Sequence, residues 1–162
     1  MSVLVPVPAV SAGGEQSCDV RVDITDTDPK GTNVRAAPGG AIVAALKNPG
    51  EGWIEVHIEG QQGDWYRIDR AYLMEADLPP GGTLLFEGKG YLHRSVLGVS
   101  GMQNGGAVYA DHHSGSALVD PHAAGDQPVE LLGCYGDFLK VHVGKGTGWT
   151  RQVCTNMITT CA

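Results

Sequence analysis

The 162-residue chain has little charge, few phenylalanines and no long apolar runs, and each shortage narrows what it can be. Only 18% of the residues are charged, the net charge is −7, and the eleven lysines and arginines are scattered. Nucleic-acid binding requires a basic stripe that replaces the counterions of the phosphate backbone, so the composition argues against that class. No apolar run approaches the roughly 20 residues of a membrane-spanning helix, so we predict no membrane span.

A sustained helical stripe is also missing, whereas turn-forming residues are abundant. The chain contains 24 glycines and nine prolines between short apolar runs. Residues 54–59 and 139–143 alternate apolar and polar side chains with a period of two, which is typical of strands buried on one face. The sequence therefore predicts an all-β fold.

The first residues allow two interpretations. Val10-Ser11-Ala12 has the small-x-small pattern of a signal cleavage site, but the segment lacks a basic start and contains Pro6 and Pro8. It is either the end of a truncated export signal or an unstructured leader. We assign residues 1–18 to a leader or linker.

The four cysteines are Cys18, Cys134, Cys154 and Cys161, and no two of them have C-x-x-C spacing. Structural zinc sites usually use closely paired ligands, so a zinc site is disfavoured. An even count in a small glycine-rich chain favours two disulfides and an oxidising compartment. Free buried thiols are the alternative, and the spacing alone leaves all three pairings open.

Two stretches of the chain match when they are aligned. Val34 and Trp65 are 31 positions apart, and Val108 and Phe138 are 30 apart. The final segments differ, because the first copy holds an insertion over residues 70–83 that fits a surface hairpin or loop. The matching segments are residues 33–38, 63–68 and 90–92 in the first copy and 107–111, 136–141 and 148–150 in the second.

The first copy resembles the bacterial SH3-type (Src-homology-3-like) domain. Residues 28–39 (DPKGTNVRAAPG) are similar to its opening LNVRSGPG signature. Residues 63–68 (GDWYRI) match its G-x-W-x-x-V strand, and residues 90–92 (GYL) resemble its closing G-W-V. The second copy keeps the strand and the closing Gly-Trp, but its opening lacks the Arg and the Pro-Gly.

The resemblance implies two small five-stranded β-barrels in tandem, over residues 19–100 and over residues 101–162 with a C-terminal extension. Family members are periplasmic or secreted bacterial proteins, commonly cell-wall or peptide-binding accessories. The barrel would bring Cys154 near Cys134 and leave Cys18 for Cys161.

The resemblance also gives expectations for the aromatic residues. Trp65, Phe138 and Trp149 occupy core-strand positions of the family and should be buried, whereas Trp53, Tyr91 and Tyr109 should reach a groove. Aromatic grooves suit extended peptides and sugar rings. We predict a ligand, either an extended peptide, a peptidoglycan fragment or an exported protein, at Tyr91, His93, Tyr109, Asp111, His112, Tyr135 and Trp149.

We predict no catalytic residue and no cofactor. No G-x-S-x-G motif is present, and Cys134 has acidic Asp137 as its neighbour rather than a base. One alternative is a metal-dependent enzyme whose ligands come from Asp111, His112, His113, Asp120 and His122, although this segment has the composition of a solvated loop. Another is a structural or inhibitory partner of an exported protein, acting through residues 70–83.

Asp26, Asp28, Gly31 and Asn33 faintly resemble a calcium-binding loop. The twelfth position, where such a loop carries a bidentate glutamate, holds Ala37. We therefore interpret this segment as Asx turns around Pro29 and Gly31.

Overall fold

Nearly all regular structure in the chain is β-strand. The computed structural model describes residues 14–47, 50–75, 82–102, 106–121, 123 and 129–155. Within these ranges the only helical segment is the short 3-10 turn Arg94–Val96, so the all-β prediction is confirmed. None of these residues belongs to a helix with the length and apolar character needed to cross a membrane.

The strands are β1 (Gln16–Ile24), β2 (Thr32–Arg35), β3 (Ile42–Leu46), β4 (Trp53–Gln62), β5 (Trp65–Met74), β6 (Thr83–His93), β7 (Leu97–Gly98), β8 (Gly101–Met102), β9 (Val108–Tyr109), β10 (Leu118–Asp120), β11 (Glu130–Tyr135), β12 (Phe138–Val143), β13 (Gly146–Thr150) and β14 (Val153–Cys154). They form a seven-stranded sheet with the order β3-β2-β6-β5-β4-β1-β7 and a five-stranded sheet with the order β10-β9-β13-β12-β11. A separate antiparallel pair joins β14 to β8.

Five consecutive strands follow the same plan in both large sheets. We call β2 to β6 the first unit and β9 to β13 the second unit. In each, the first strand lies between the second and the fifth, and the fourth and third follow the fifth. This agreement in strand order matches the internal repeat read from the sequence.

The third and fourth strands of the two units also share their turn and their irregularity. Gly63 and Gly136 have φ angles of 59° and 55°, a region open to glycine without steric cost, and each makes the tight turn of its hairpin. A bulge precedes Gly60 in β4 and Gly133 in β11, where one residue of the strand is left unpaired. The third strand of each unit therefore has a bulge at the equivalent position, shortly before the tight turn.

A glycine in the fifth strand lets the first strand approach closely in each unit. A Cβ on Gly90 would lie 2.3 Å from Val34 Cγ1, and a Cβ on Gly148 would lie 2.6 Å from Val108 Cγ1. Both valines are fully buried. Only glycine leaves room for these valines, which explains why both copies of the closing motif begin with it.

The predicted insertion lengthens one hairpin of the first unit. The β5–β6 ladder continues as far as Leu73 paired with Thr83, whereas the β12–β13 ladder ends at Val143 paired with Gly146. Residues 76–81, in the middle of the insertion, lie outside the described residues.

A single core runs beneath both large sheets. The alternating residues of β4 and β12 supply its centre, as their period-two pattern predicts. It contains residues from both units and from β1, among them Val22, Val34, Val56, Ile58, Ile68, Leu92, Val108, Leu131, Leu139 and Val141. Burial on this scale is the main stabilising term of such a fold.

Strand β1 connects the two sheets. It begins at Gln16, inside the segment predicted as a leader, and pairs with β4. Its backbone also bonds the β11–β12 turn, where Asp19 N donates to Gly136 O at 2.7 Å and Gly136 N donates to Ser17 O at 2.9 Å. A disulfide between Cys18 and Cys134, with their Cα atoms 5.9 Å apart, covalently closes this junction.

The predicted pairing of Cys134 with Cys154 and of Cys18 with Cys161 is wrong. The run of β1 alongside Gly136 places Cys18 against Cys134, and the pairing of β14 with β8 holds Cys154 elsewhere. Cys154 is itself disulfide-bonded, and Cys161 lies outside the described residues.

Candidate functional site

The predicted ligand-binding residues occupy two places. Tyr91 and His93 lie at the end of β6 in the first unit. The other five come from β9, β11, β13 and the loop after β9 in the second unit; they are Tyr109, Asp111, His112, Tyr135 and Trp149. The second group contains rings in direct contact.

Three of these rings form a compact group, which we call the aromatic cluster (His112, Tyr135 and Trp149). The rings of His112 and Tyr135 are stacked with centroids 3.6 Å apart and planes 6° apart. Trp149 meets His112 edge-on, with centroids 5.3 Å apart. The Lys140 ammonium lies 5.8 Å from the Trp149 centroid, within the range of a cation–π contact. The cluster thus combines flat apolar surfaces with a positive charge.

Tyr135 is held by the junction between the two sheets. It ends β11 directly before the Gly136 turn, and Cys134 beside it carries the disulfide. The Cys134 amide donates to Gln61 Oε1 at 2.9 Å, which adds a bond from β4 of the first unit. The Tyr135 side chain nevertheless remains 43% exposed, so a rigid backbone presents an accessible ring.

His112 is positioned by a short hydrogen-bonded loop. The Ser116 hydroxyl donates to His113 O at 2.8 Å and lies 3.2 Å from both the carbonyl and the amide of Asp111. The Asp111 carboxylate accepts from the His112 amide at 2.8 Å and lies 3.4 Å from its ring Nε2. Asp111 therefore orients the imidazole rather than extending the aromatic surface.

Trp149 stands in a cross-strand row with Tyr109 and Lys140. Tyr109 pairs with Trp149 across β9 and β13, and Trp149 pairs with Lys140 across β12. Directly opposed residues share a face of the sheet. The buried Leu139 and Val141 occupy the other face of β12, so this row is the outer face.

The predicted burial of the core aromatics is confirmed in part. Phe138 is buried, whereas Trp65 and Trp149 are only half-buried. Trp149 lies on the outer face of the second unit, where the His112 ring meets it edge-on. Of the predicted groove residues, Trp53 and Tyr109 are half-buried.

Tyr91 is buried, so its assignment to an exposed groove is wrong. Only 5% of it is accessible, and its hydroxyl donates to Glu15 Oε2 at 3.3 Å. Glu15 also pairs with Arg67, which is the cross-strand neighbour of Tyr91. The segment before β1 therefore covers the position in the first unit that corresponds to Trp149 in the second.

His93 belongs to a different surface from the aromatic cluster. Its ring contacts Trp65 edge-on at 5.1 Å. Both line a shallow cavity of about 230 Å³ together with Asp26, Asp28 and Arg35, which we call the first-unit cavity. The seven predicted residues thus do not make one groove, because Tyr91 is covered and His93 faces this cavity.

The histidine segment predicted as an alternative metal site is dispersed. Asp120 is buried and lies 3.8 Å from Lys145 Nζ, whereas His113 is exposed. His122 lies outside the described residues. In the described ranges, the group of three donors that all lie within 4.8 Å of one another consists of His57, Glu59 and Asp69. The alternation of residues 54–59 predicts that His57 and Glu59 share the polar face of their strand, but it does not predict that Asp69 lies beside them.

His57 lies between two carboxylates. Its Nδ1 is 2.7 Å from Asp69 Oδ1, and its Nε2 is 2.7 Å from Asp19 Oδ1. Burial lowers the pKa of His57, but the hydrogen bonds and charges of Asp19 and Asp69 outweigh burial and raise it above 6.5. Asp19 and Asp69 therefore stabilise the charged form of the ring.

The segment that resembles a calcium loop forms Asx turns, as interpreted from the sequence. Asp26 Oδ1 accepts from the Asp28 amide at 3.0 Å, and Asp28 Oδ1 accepts from the Lys30 amide at 2.9 Å. Thr32 Oγ1 donates to the second oxygen of Asp26 at 3.1 Å. The carboxylates of Asp26 and Asp28 therefore accept hydrogen bonds from their own loop.

A buried carboxylate pair lies where β1 meets β4, and the sequence did not reveal it. Asp23 pairs with Glu55 and is fully buried, with neither carboxyl oxygen hydrogen-bonded within the described structure. Burial, followed by the charge of Glu55, raises the pKa of Asp23 to about 9. Glu55 contacts Arg21 at 3.0 Å and accepts from Thr155 at 2.9 Å. Asp23 is therefore protonated at neutral pH.

No family model, curated protein or solved structure matches the chain. The fold and the site describe an all-β protein with a repeated five-strand plan and a partly exposed aromatic cluster on the second unit.

Proposed function

We propose that the chain is a non-catalytic binding module of an exported bacterial protein, and that the aromatic cluster binds an extended peptide or a peptidoglycan fragment. The observation that carries this proposal is the stacking of His112 on Tyr135 beside Trp149, with Lys140 over the indole. Flat rings held on a rigid sheet bind extended chains and sugar rings with little loss of entropy.

The charges around the cluster fit such a ligand. Lys140 supplies a cation that pairs with a carboxylate of a peptide or of a peptide-bearing glycan, and Asp111 supplies an anion at the His112 end. Both lie beside apolar rings, and small ligands bind where apolar surface combines with a few polar groups.

The resemblance to bacterial SH3-type domains and the export of the protein belong to this proposal. Support for the first comes from the shared strand order and from the glycine turn and bulge found in both units. Support for the second comes from the Cys18–Cys134 disulfide, since disulfides persist in oxidising compartments.

Co-sedimentation with purified sacculi and fluorescence titration with soluble muropeptides test the proposal. Tyr135→Ala and Trp149→Ala should each weaken binding about 5- to 150-fold, because truncating a stacked aromatic removes about 1–3 kcal/mol. Tyr72→Ala is the matched control, since Tyr72 is a half-buried aromatic on β5 of the first unit.

A panel of proline-containing and other extended peptides separates peptide binding from glycan binding in the same titration. Equal binding by wild type, Tyr135→Ala and Trp149→Ala would remove the cluster from the binding surface. Saturable binding to neither sacculi nor peptides would contradict the function itself.

A second candidate is a structural or inhibitory partner of another exported protein, and exposed apolar residues favour it. Leu84 and Leu85 on the lengthened hairpin are each more than 40% exposed, as are Ile42 and Val43 on the edge strand β3. Adjacent exposed apolar residues at such sites are typical of protein contacts. A Leu84→Ser/Leu85→Ser variant that loses a co-purifying periplasmic protein, while muropeptide binding is unchanged, would support this function.

A further inference from the structure

We propose that His57, Asp69 and Glu59 form a binding site for a divalent transition metal ion, with Zn²⁺ as the best fit. This site lies on the outer face of β4 and β5 in the first unit, away from the aromatic cluster. The proposal is independent of the ligand assigned to the cluster.

The donor atoms are already close together. One nitrogen of His57 and one oxygen each of Asp69 and Glu59 all lie within 4.8 Å of one another. In a tetrahedral Zn²⁺ site two donors lie about 3.3 Å apart, because each bond is about 2.0–2.1 Å long. His57 Nδ1 and Asp69 Oδ1, now 2.7 Å apart, must separate slightly to admit the ion. Glu59 must approach them by up to about 1.5 Å, which rotation of its long, partly exposed side chain allows.

A β-bulge brings Asp69 to this position. His57 pairs with Arg70 and Ile58 pairs with Ile68, so Asp69 is the extra residue between them. The bulge re-aims its side chain towards His57, where Oδ1 lies 2.7 Å from Nδ1. In the second unit, Leu131 pairs with Val141 and Glu130 with His142 without such an insertion. The site is therefore a feature of the first unit.

Asp19 supplies the outer support that histidine ligands require. Asp19 Oδ1 lies 2.7 Å from Nε2 of His57 and would keep that hydrogen bond when a metal is bound. Nδ1, which lies 2.7 Å from Asp69 Oδ1, would release its proton and coordinate the ion. A histidine that binds a metal commonly donates its other ring N–H to a carboxylate, which fixes the tautomer and strengthens the ligand.

The charge balance around the site favours a cation. Four carboxylates surround the site, whereas only two guanidinium groups pair with them. The carboxylates are Glu15, Asp19, Glu59 and Asp69, and the guanidinium groups are Arg67 and Arg70. Arg67 contacts both Glu59 and Glu15, so it keeps Glu15 as a partner when Glu59 turns to the metal. Imidazole with two carboxylates suits Zn²⁺ and neighbouring transition ions. Three protein ligands leave one position for water or for an external oxygen ligand.

Isothermal titration of the untagged full-length protein with ZnCl₂ tests this site. Wild type should bind one equivalent. His57→Ala should weaken that binding about 100-fold or more, and Asp19→Asn about 10–100-fold, since outer carboxylates contribute that much to affinity. Asp69→Asn and Glu59→Gln keep the side-chain shapes but replace a charged carboxylate with a neutral amide, a weaker ligand, so each should also weaken binding.

His142→Ala is the matched control, because His142 is an exposed histidine on β12 that contacts Thr147 at 3.1 Å. It should bind Zn²⁺ as wild type does, and a thermal melt of every variant confirms that it is folded. Absence of stoichiometric binding by wild type would overturn the proposal. Full affinity in His57→Ala and Asp69→Asn would overturn it equally, as would loss of the one bound equivalent in His112→Ala/His113→Ala.

Discussion

The two units have one backbone plan but present different chemistry on their outer faces. Arg67 and Tyr91 pair across the fourth and fifth strands of the first unit, and Lys140 and Trp149 hold the same places in the second. In the first unit Glu15 covers both side chains, and Tyr91 is buried. In the second unit the row is partly accessible and adjoins His112 and Tyr135.

The difference shows what an added segment does to a repeated fold. Strand β1 and the residue before it extend the first unit, so its outer face becomes a network of charges rather than an aromatic surface. Strand β1 holds the second unit through the disulfide, the backbone bonds at Gly136 and shared core residues. These contacts fix the backbone on both sides of Tyr135 and leave its ring accessible.

The largest effect should come from breaking the link between the units. The Cys18→Ala/Cys134→Ala variant should lose about 2–5 kcal/mol of unfolding free energy, because the disulfide closes a loop with a sequence separation of 116. Urea denaturation followed by tryptophan fluorescence measures this loss. A change below about 1 kcal/mol would show that the junction contributes little beyond its non-covalent contacts.

The close approach of the first and fifth strands should be sensitive to a single methyl group. Gly148→Ala should cost about 1–3 kcal/mol, because its Cβ would lie 2.5 Å from the Tyr109 carbonyl oxygen as well as near Val108. Gly90→Ala should cost less, since its closest contact is a valine side chain. Gly144→Ala is the control, because a Cβ there meets nothing within 4 Å. Equal melting temperatures for all three variants would contradict the shared packing.

The buried Asp23 of β1, which pairs with Glu55 of the first unit, should make the free energy of unfolding depend on pH. The pKa of Asp23 is raised from 3.8 to about 9, so the folded state binds a proton that the unfolded state releases. Its contribution is fully present below pH 3.8 and is lost as the pH rises towards 9. Asp23→Asn should therefore stabilise the protein by more than about 1.4 kcal/mol at pH 8, because each unit of pKa shift corresponds to about 1.4 kcal/mol, and by much less at pH 4. A constant difference between these pH values in chemical denaturation would refute the assignment.

The smallest effect should come from loosening the loop that carries His112. Ser116→Ala removes hydrogen bonds to Asp111 and His113, so muropeptide or peptide affinity should fall about 2–10-fold through added disorder of the ring. Ser114→Ala in the same exposed loop is the control. Unchanged affinity in Ser116→Ala would show that the loop needs no such support.

The repeated strands were predictable because their signals are local. Alternation in β4 and β12 identifies buried faces, and the glycine turns before Trp65 and Phe138 mark equivalent hairpins. Part of the site was also predictable, since Tyr135 and Trp149 stand out as aromatics beside a turn and at a strand end.

The features that the sequence did not predict depend on contacts between distant parts of the chain. The burial of Tyr91 comes from Glu15, which lies 76 residues earlier, and the disulfide joins residues 116 apart. The Asp69 bulge depends on the register between β4 and β5, which a single sequence does not reveal. Such pairings become visible only when the sheets are assembled.

The three tryptophans provide the most direct test of the comparison between the units. Trp149 lies in the aromatic cluster, Trp65 lines the first-unit cavity, and the indole N–H of Trp53 is buried. In a ¹H–¹⁵N titration with muropeptide or peptide, the account predicts a saturable shift of the Trp149 indole signal while the other two stay in place. A shift of Trp65 with Trp149 unmoved would contradict it.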